Sequence, residues 1–297
     1  MGEGRMAAIQ AMQQSLEAAG YICERDLAAT LLLMSELQRP LLVEGAPGVG
    51  KTEIAKVLAR TRKTSLIRLQ CFEGLDVHHA LYEWNYQRQL LAIRMAEAAG
   101  SSALDEEALF SGSYLLKRPL LEALLHATPA VLLIDEVDRA DEAFEAFLLE
   151  VLSDYQVSIP EMGTISAVSI PLVVLTSNAS RELSDALRRR CLYHYLDSPS
   201  FAKELAILQL RLPQIEDRLG RQIVEFAQAL RQLGLKKQPG LAETLDWAAA
   251  LLGLGVSSLD EAGSDRIRNT LSTLLKTQED VRAMEPVVLD RLLALAG

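Results

Sequence analysis

Apolar residues recur along this chain with two periods. Short unbroken or alternating runs predict buried strands at Leu41–Glu44, Leu66–Gln70, Val131–Ile134, Leu172–Thr176 and Leu192–Leu196. Spacings of three and four residues predict helices between them. Ile9, Met12 and Leu16 mark a helix over Met6–Ala19, closed by Gly20. Leu27, Leu31 and Met34 mark a second over Asp26–Leu37, ended by Pro40. Ile54, Val57 and Leu58 start a third that runs to about Arg62. Trp84–Ala98 reads as a long helix broken at Gly100-Ser101-Ser102, with shorter ones at Asp105–Phe110 and Leu120–His126. Phe144, Phe147, Leu148, Val151, Leu152 and Tyr155 define another amphipathic helix. Val157–Pro160 and Thr164–Ala167, around Glu161-Met162-Gly163, predict a hairpin. Beyond Ser198-Pro199-Ser200 the strand signals stop. Phe201–Leu210, Arg218–Leu233, Leu241–Leu254, Ser264–Lys276 and Val287–Leu295 all read as helices.

Strands alternating with helices imply an α/β fold, a parallel sheet covered on both faces. The pattern change divides the chain into residues 1–198 and a helical region, 199–297. With 297 residues and 49% hydrophobic content, the chain can bury a sizeable core in each part. Its net charge of −10 argues against a surface that coats nucleic acid. Three scattered cysteines, Cys23, Cys71 and Cys191, have neither disulfide-framework nor zinc spacing and fit a reducing, cytoplasmic setting. No window has the length of apolar sequence that a signal peptide or membrane helix needs, so no stable membrane insertion is expected.

The candidate chemistry begins at Gly45-Ala46-Pro47-Gly48-Val49-Gly50-Lys51-Thr52, which reads G-x-x-x-x-G-K-[ST] between a strand and a helix. Glycines there let backbone N–H groups turn inward toward an anion, beside a helix N-terminus. Lys51 would reach the β- and γ-phosphates of a nucleotide, Thr52 would offer its hydroxyl to Mg²⁺, and Glu53 follows in the first helical turn. A second acidic site closes the Val131–Ile134 strand. Asp135 would hold Mg²⁺, and Glu136 is the candidate base for an attacking water. The fourth strand ends in Thr176-Ser177-Asn178, whose Asn178 amide could bond that water or the γ-phosphate. Arg188-Arg189-Arg190 follows a helix at Ser184–Leu187 and precedes the fifth strand. The cluster could be a solvated face or could supply an arginine finger to a neighbouring subunit.

In that order these motifs resemble an AAA+ ATPase. Asp135-Glu136-Val137-Asp138-Arg139-Ala140 and the helical C-terminal region resemble the MoxR family within it. Cys71–Asp76, Ala80–Trp84, Phe144–Asp154 and Leu183–Cys191 resemble the CoxD-like branch, which is associated with maturation of carbon monoxide dehydrogenase and related molybdenum hydroxylases. The resemblance covers the chain from about Ala19 to Gly255. It implies a P-loop NTPase sheet of five strands in the order 5-1-4-3-2, with a helical lid. It also implies ATP and Mg²⁺ as ligands, a ring of usually six subunits, a client metalloenzyme and a partner with a von Willebrand A-type domain. Lys51 and Thr52 match Walker A, Asp135 and Glu136 Walker B, and Asn178 sensor 1. Arg190 best matches the finger, with Arg188 and Arg189 still in contention.

Two features depart from the pattern. The lid helix that should open with a sensor 2 arginine opens Pro239-Gly240-Leu241-Ala242-Glu243, which leaves Lys236 or Lys237 as substitutes. The insert before Walker B, often a β-hairpin in related proteins, reads here as helix. Other residues have bland readings. His78-His79 lack metal-ligand spacing and default to a loop or helix-end pair. Trp84 and Tyr86 could grip a client or simply pack. Arg139 could face a neighbouring subunit or solvent. A nucleotide-gated scaffold with negligible turnover is the main rival to an ATPase. A GTPase would need an N-K-x-D motif, and Asn178 is followed instead by Ala-Ser-Arg.

Overall fold

A computed structural model describes residues 2–98 and 106–296. In chain order the elements are α1 (Gly2–Ala18), α2 (Arg25–Leu37), β1 (Leu41–Gly45), α3 (Lys51–Arg62), β2 (Leu66–Gln70), α4 (Val77–Ala80), β3 (Tyr82–Trp84), α5 (Tyr86–Ala98), α6 (Glu106–Leu109), β4 (Leu115–Lys117), α7 (Pro119–Leu124) and β5 (Val131–Asp135). After a 3₁₀ turn at Val137–Arg139 come α8 (Glu142–Asp154), β6 (Gln156–Ile159), β7 (Gly163–Ser166), β8 (Leu172–Ser177), α9 (Asp185–Arg190) and β9 (Leu192–Leu196). The remainder is helical: α10 (Phe201–Arg211), α11 (Asp217–Arg231), α12 (Leu241–Gly253), α13 (Leu259–Ala262), α14 (Ser264–Arg268), α15 (Gln278–Ala283) and α16 (Pro286–Ala296). These residues form two compact units. One comprises residues 25–44 and 52–195 with the start of the chain, and the other residues 13–24, 45–51 and 196–297.

The first unit is built on a five-stranded sheet in the order β2-β5-β8-β1-β9. Numbered by their order in the chain, these strands read 5-1-4-3-2 from the β9 edge, as the resemblance implied. β5 pairs in parallel with both β2 and β8, and β8 with β1. Every residue of β1 and β5 is buried, the mark of central parallel strands covered on both faces. β2 lies at the edge and alternates instead: Ile67 and Leu69 point into the core, while Arg68 and Gln70 are exposed. This alternation puts two polar side chains beside the carboxyl end of β5, because Gln70 lies opposite Asp135. The apolar core beneath is filled by Leu120, Leu121, Leu132, Ile134, Phe144, Leu148, Leu175 and Leu187.

Several elements depart from the sequence reading. The insert before β5 is not purely helical. Trp84 does not start the long helix; it ends β3, which pairs antiparallel with β4 through Trp84↔Leu115. Burial decides this: Trp84 packs edge-on against Phe110 and Tyr82, whereas Tyr86, at the start of α5, is 61% exposed. The break assigned to Gly100-Ser101-Ser102, and Asp105 with it, lies outside the described residues. The helix α9 starts after Ser184, which caps it, and continues through the three arginines rather than stopping before them. The predicted helix Ser264–Lys276 divides into α14 and a 3₁₀ turn at Leu271–Thr273. The hairpin is present as β6 and β7.

The second unit has its own core. Leu219, Ile223, Phe226 and Leu230 form one face of α11 and meet Trp247 and Leu251 of α12 and Leu289 and Leu292 of α16. Trp247 is fully buried, its ring 4.7 Å from that of Phe226 and its indole N–H donating to Thr270 Oγ1 at 2.7 Å. Truncation of Trp247 to Ala is expected to cost about 3–5 kcal/mol through the cavity it leaves. Thr270→Val, which strands the indole N–H, should cost about 1–3 kcal/mol. Denaturant titration followed by circular dichroism checks both. A smaller loss for Trp247→Ala than for Thr270→Val would contradict the packing account.

Candidate functional site

The glycine-rich segment joins β1 to α3. Gly48 and Gly50 have φ of +79° and +100°, a region that disfavours side chains. Gly45 is glycine for a steric reason, since a Cβ there would lie 2.4 Å from the Leu196 carbonyl oxygen. Lys51, only 6% exposed, donates from Nζ to the carbonyls of Gly45 at 2.7 Å and Ala46 at 2.8 Å. Its ammonium therefore lies back over its own loop, while Ala46, Pro47 and Gly48 are exposed and Val49 and Gly50 half-buried.

Thr52 and Asp135 come together in the first unit. The Thr52 hydroxyl donates to Asp135 Oδ1 at 3.1 Å. The Thr176 hydroxyl donates to the same oxygen at 2.5 Å, and Arg68 donates to Oδ2 through Nε at 3.1 Å and Nη2 at 2.5 Å. A hydroxyl beside a buried carboxylate is a hard-oxygen pair of the kind Mg²⁺ takes, so these residues fit that ion. Glu53, grouped with the loop by sequence, turns its carboxylate to Arg60 at 2.9 Å and Lys56 at 3.5 Å.

Glu136 stands one residue beyond the strand in the left-handed region, with φ 55° and ψ 50°. Its N–H donates to Thr176 Oγ1 at 2.9 Å, which fixes the turn. Its carboxylate accepts from Gln70 Nε2 at 3.2 Å and lies 3.3 Å from Arg139 Nη1. Arg139 therefore faces the carboxylate of its own chain.

Asp138, which the sequence did not single out, holds the β8 loop. Its Oδ2 accepts from the N–H groups of Asn178 at 3.2 Å and Ser180 at 2.9 Å, and from the Ser180 hydroxyl at 2.6 Å. Burial pushes this carboxyl up, but the hydrogen bonds from Ser180 and Asn178 outweigh it and hold it below the ordinary value. Asn178 is thus fixed through its backbone beside Glu136's turn. Nearby, Arg181 pairs with the buried Glu145, whose other oxygen accepts from the Ser184 N–H at 2.9 Å. Neither acid announces itself in the sequence, because each reads as an ordinary helix-start or helix-surface residue.

The three arginines are not equivalent. Arg188 lies 3.4 Å from buried Glu44, the residue before Gly45, so it is engaged within its own chain. Burial and a hydrogen bond to Glu44 raise the Tyr193 hydroxyl. Arg39 donates to the backbone carbonyls of Arg189 and Arg190, which closes the end of α9. The side chains of Arg189 and Arg190 are exposed and show no ion pair among the described residues. His78 and His79 lie in α4, where His79 Nδ1 contacts the capping Asp76 at 2.7 Å. Burial pushes the Cys71 thiol up to about 12, with Asp135 and other acids adding to it.

Asp138 gives a test of sign. Its carboxyl is more acidic folded than unfolded, so its contribution is complete above the unfolded value and is lost as pH falls through the depressed one. Asp138→Asn should therefore lower Tm at pH 7, and the gap to the unsubstituted protein should narrow as pH falls below the ordinary aspartate value and through the depressed one. A gap independent of pH would remove the charge from the account.

Residues 40–191, about half of the chain, match the AAA domain (dynein-related subfamily). The chain is 27% identical over 199 residues to the chaperone protein ClpB of Chlamydia trachomatis, covering 62% of this chain and 20% of that protein. Chaperone protein ClpB of Chlamydia muridarum is 29% identical over 159 residues, covering 51% of this chain and 16% of that protein. This chain thus spans about a fifth or less of the length of these relatives. The Thermotoga maritima RuvB Holliday junction branch migration motor superposes with a TM-score of 0.46 at 17% identity, over 88% of this chain and 68% of that one. With the phosphate-loop sequence, the Asp135–Glu136 strand end and four of the five sheet strands inside the matched segment, the chain belongs to the dynein-related subfamily of AAA domains.

Proposed function

We propose that this chain is a Mg²⁺-dependent ATPase of the MoxR type that uses hydrolysis to remodel a client protein. The observation that carries the reading is the Thr52 hydroxyl on the buried carboxylate of Asp135 at 3.1 Å, with Glu136 next in sequence. Gly45–Gly50 and Lys51 bind the phosphates, and Lys51 exchanges its two loop carbonyls for phosphate oxygens. Thr52 and Asp135 hold Mg²⁺, which supplies charge neutralisation at the phosphates when bound. Glu136 accepts the proton of the attacking water as its oxygen bonds to the γ-phosphorus and ADP departs. Asn178, set by Asp138, orients that water. Residues 1–198 are the catalytic core and 199–297 the lid.

The finer reading rests on resemblance. It comprises a ring of six subunits in the cytoplasm, a client metalloenzyme of the carbon monoxide dehydrogenase or molybdenum hydroxylase type, and a partner with a von Willebrand A-type domain. Among the described residues no helix is long and apolar enough to cross a membrane. Arg188, committed to Glu44 in cis, is a poor finger, which leaves Arg190 and Arg189 for a neighbour's γ-phosphate. A second reading, a nucleotide-gated scaffold with negligible turnover, is favoured by one observation: Arg68 occupies Asp135 Oδ2, so metal loading must compete with a guanidinium.

Three variants and the unsubstituted protein separate these readings. Lys51→Ala should abolish ATP binding, because the loop loses its ammonium. Asp135→Ala should keep nucleotide but make its binding insensitive to Mg²⁺. Glu136→Gln should bind ATP and release no phosphate, because an amide cannot take the proton. Equal loss of affinity in Lys51→Ala and Glu136→Gln would sink the base role. Unsubstituted protein that binds ATP but hydrolyses none, even when assembled, would support the scaffold.

The trans claim has its own test. Arg190→Ala should leave ATP affinity nearly intact and lower turnover by about 10³-fold. Mixing Arg190→Ala with Glu136→Gln subunits creates interfaces with one intact Glu136 and one intact Arg190, so partial recovery of phosphate release is expected. Full activity of Arg190→Ala alone would transfer the role to Arg189. No recovery in rings shown to exchange subunits would mean that the arginine acts in cis or only structurally.

A further inference from the structure

The helix α12 opens against the phosphate loop within the second unit. A Cβ built on Gly240 would lie 3.0 Å from the Gly48 Cα and 3.2 Å from the Pro47 carbonyl oxygen. Both are backbone atoms of the loop and cannot rotate away. Gly240 has φ −86° and ψ −173°, an extended conformation open to any residue. Its missing side chain therefore serves the contact with the loop rather than its own backbone.

Gly240 is fixed from behind. Its N–H donates to Glu243 Oε2 at 2.9 Å, and its carbonyl accepts from the Thr244 hydroxyl at 3.1 Å. The preceding carbonyl, of Pro239, accepts from Arg231 Nε at 2.7 Å, and Arg231 Nη2 also donates to Thr244 Oγ1 at 2.9 Å. The same guanidinium grips Glu204 at 2.6 and 2.8 Å, and Glu204 is fully buried. A charge held there is costly to disturb, so the arrangement is rigid. Neither lysine offered by the sequence takes a place at the loop through these contacts. The Lys236 ammonium pairs with Glu279 at 2.7 Å, and the backbone N–H groups of Lys236 and Lys237 donate to Asp280. The charged group next to Gly48 is instead the Glu243 carboxylate, 3.4 Å from where a Gly48 Cβ would stand.

We infer that Gly240 braces the phosphate loop by direct backbone contact and that Arg231 is the positioning residue that sets the brace. The lid helix thereby shapes the loop by contact where a lid arginine would act by charge. This rests on reading Gly45–Lys51 as the nucleotide phosphate site. It assigns nucleotide affinity to two residues, Gly240 and Arg231, that touch no phosphate.

The test substitutes two glycines of one helix in the full-length chain. Gly240→Ala adds a methyl group against the loop, whereas Gly253→Ala adds one at the other end of α12, where it meets nothing within 4 Å. Overpacking of this kind should weaken binding of a fluorescent ADP by about tenfold in Gly240→Ala. Amide hydrogen exchange at residues 48–51 of the nucleotide-free protein should also quicken. Gly253→Ala should change neither. Arg231→Lys keeps a cation beside Glu204 but loses the fork to Pro239 and Thr244. It should reproduce a smaller loss of affinity and provides the measurement if Gly240→Ala fails to fold. Unchanged affinity and unchanged loop exchange in folded Gly240→Ala would overturn the brace, as would equal effects of Gly240→Ala and Gly253→Ala. Unsubstituted protein that binds no ADP would overturn the phosphate-site reading instead, and loop exchange would still report on the brace.

Discussion

Asp135 carries a charge at the end of a strand whose residues are all shielded from water, and the organisation of the first unit follows from keeping that charge satisfied. A carboxylate that is 4% exposed must be paired and hydrogen-bonded to persist. Each partner comes from a different element. Thr52 arrives on the first turn of α3, Thr176 on the neighbouring strand β8, and Arg68 on the edge strand β2. The sheet order brings them together, because β5 lies between β2 and β8. An order that separated β5 from β2 or β8 would leave the carboxylate short of a partner. The Thr176 hydroxyl also receives the Glu136 N–H, so one side chain ties the metal-type carboxylate to the turn that presents the next acid.

A second shielded acid does for β8 what Asp135 does for β5. Asp138 gathers two backbone N–H groups and a hydroxyl from residues 178–180, so the loop that carries Asn178 is anchored to the 3₁₀ turn after β5. The turn and the loop are then one assembly. On the ATPase reading, this tie would hold Glu136 and Asn178 in register for a water between them. The edge position of β2 adds the last component. Its exposed face supplies Gln70 to Glu136 and Arg68 to Asp135, so both acids are buffered by the same strand.

Much of this was legible in the sequence because it is periodic or local. Unbroken apolar runs mark β1, β5 and β8, and the spacing G-x-x-x-x-G-K-T carries its own geometry. What was not legible depends on pairing across distance. The strand Tyr82–Trp84 is three residues long, too short for alternation to register, and it exists because Trp84 and Leu115 meet across the insert. Arg68 reads as an edge-strand polar residue until the β2–β5 register places it beside Asp135. Asp138 reads as the start of a helical turn until β8 folds against it. The arginine run looked uniform in one dimension. In three, helix α9 directs Arg188 to Glu44 and leaves the next two side chains exposed, a distinction that 100° of helical rotation per residue creates and that a string of three identical letters conceals.

The charge distribution around the phosphate loop has a further consequence. A lid cation at the γ-phosphate favours a triphosphate over a diphosphate through charge alone. In the second unit the loop meets the Gly240 backbone and the Glu243 carboxylate, and Lys236 is paired with Glu279. A neutral contact of this kind shapes the loop equally for both nucleotides, and a carboxylate disfavours the extra negative charge. On the ATPase reading, discrimination between ATP and ADP would then come from groups other than the start of α12. The candidates are Lys51, the metal that Thr52 and Asp135 would hold, and a cation delivered from outside the chain. Arg188 is withdrawn from that last role by Glu44, while Arg189 and Arg190 stand exposed at the end of a helix whose final carbonyls Arg39 already satisfies. On the ATPase reading proposed above, the exposed side chains of Arg189 and Arg190 would then be the groups left to recognise a γ-phosphate bound by a neighbouring chain.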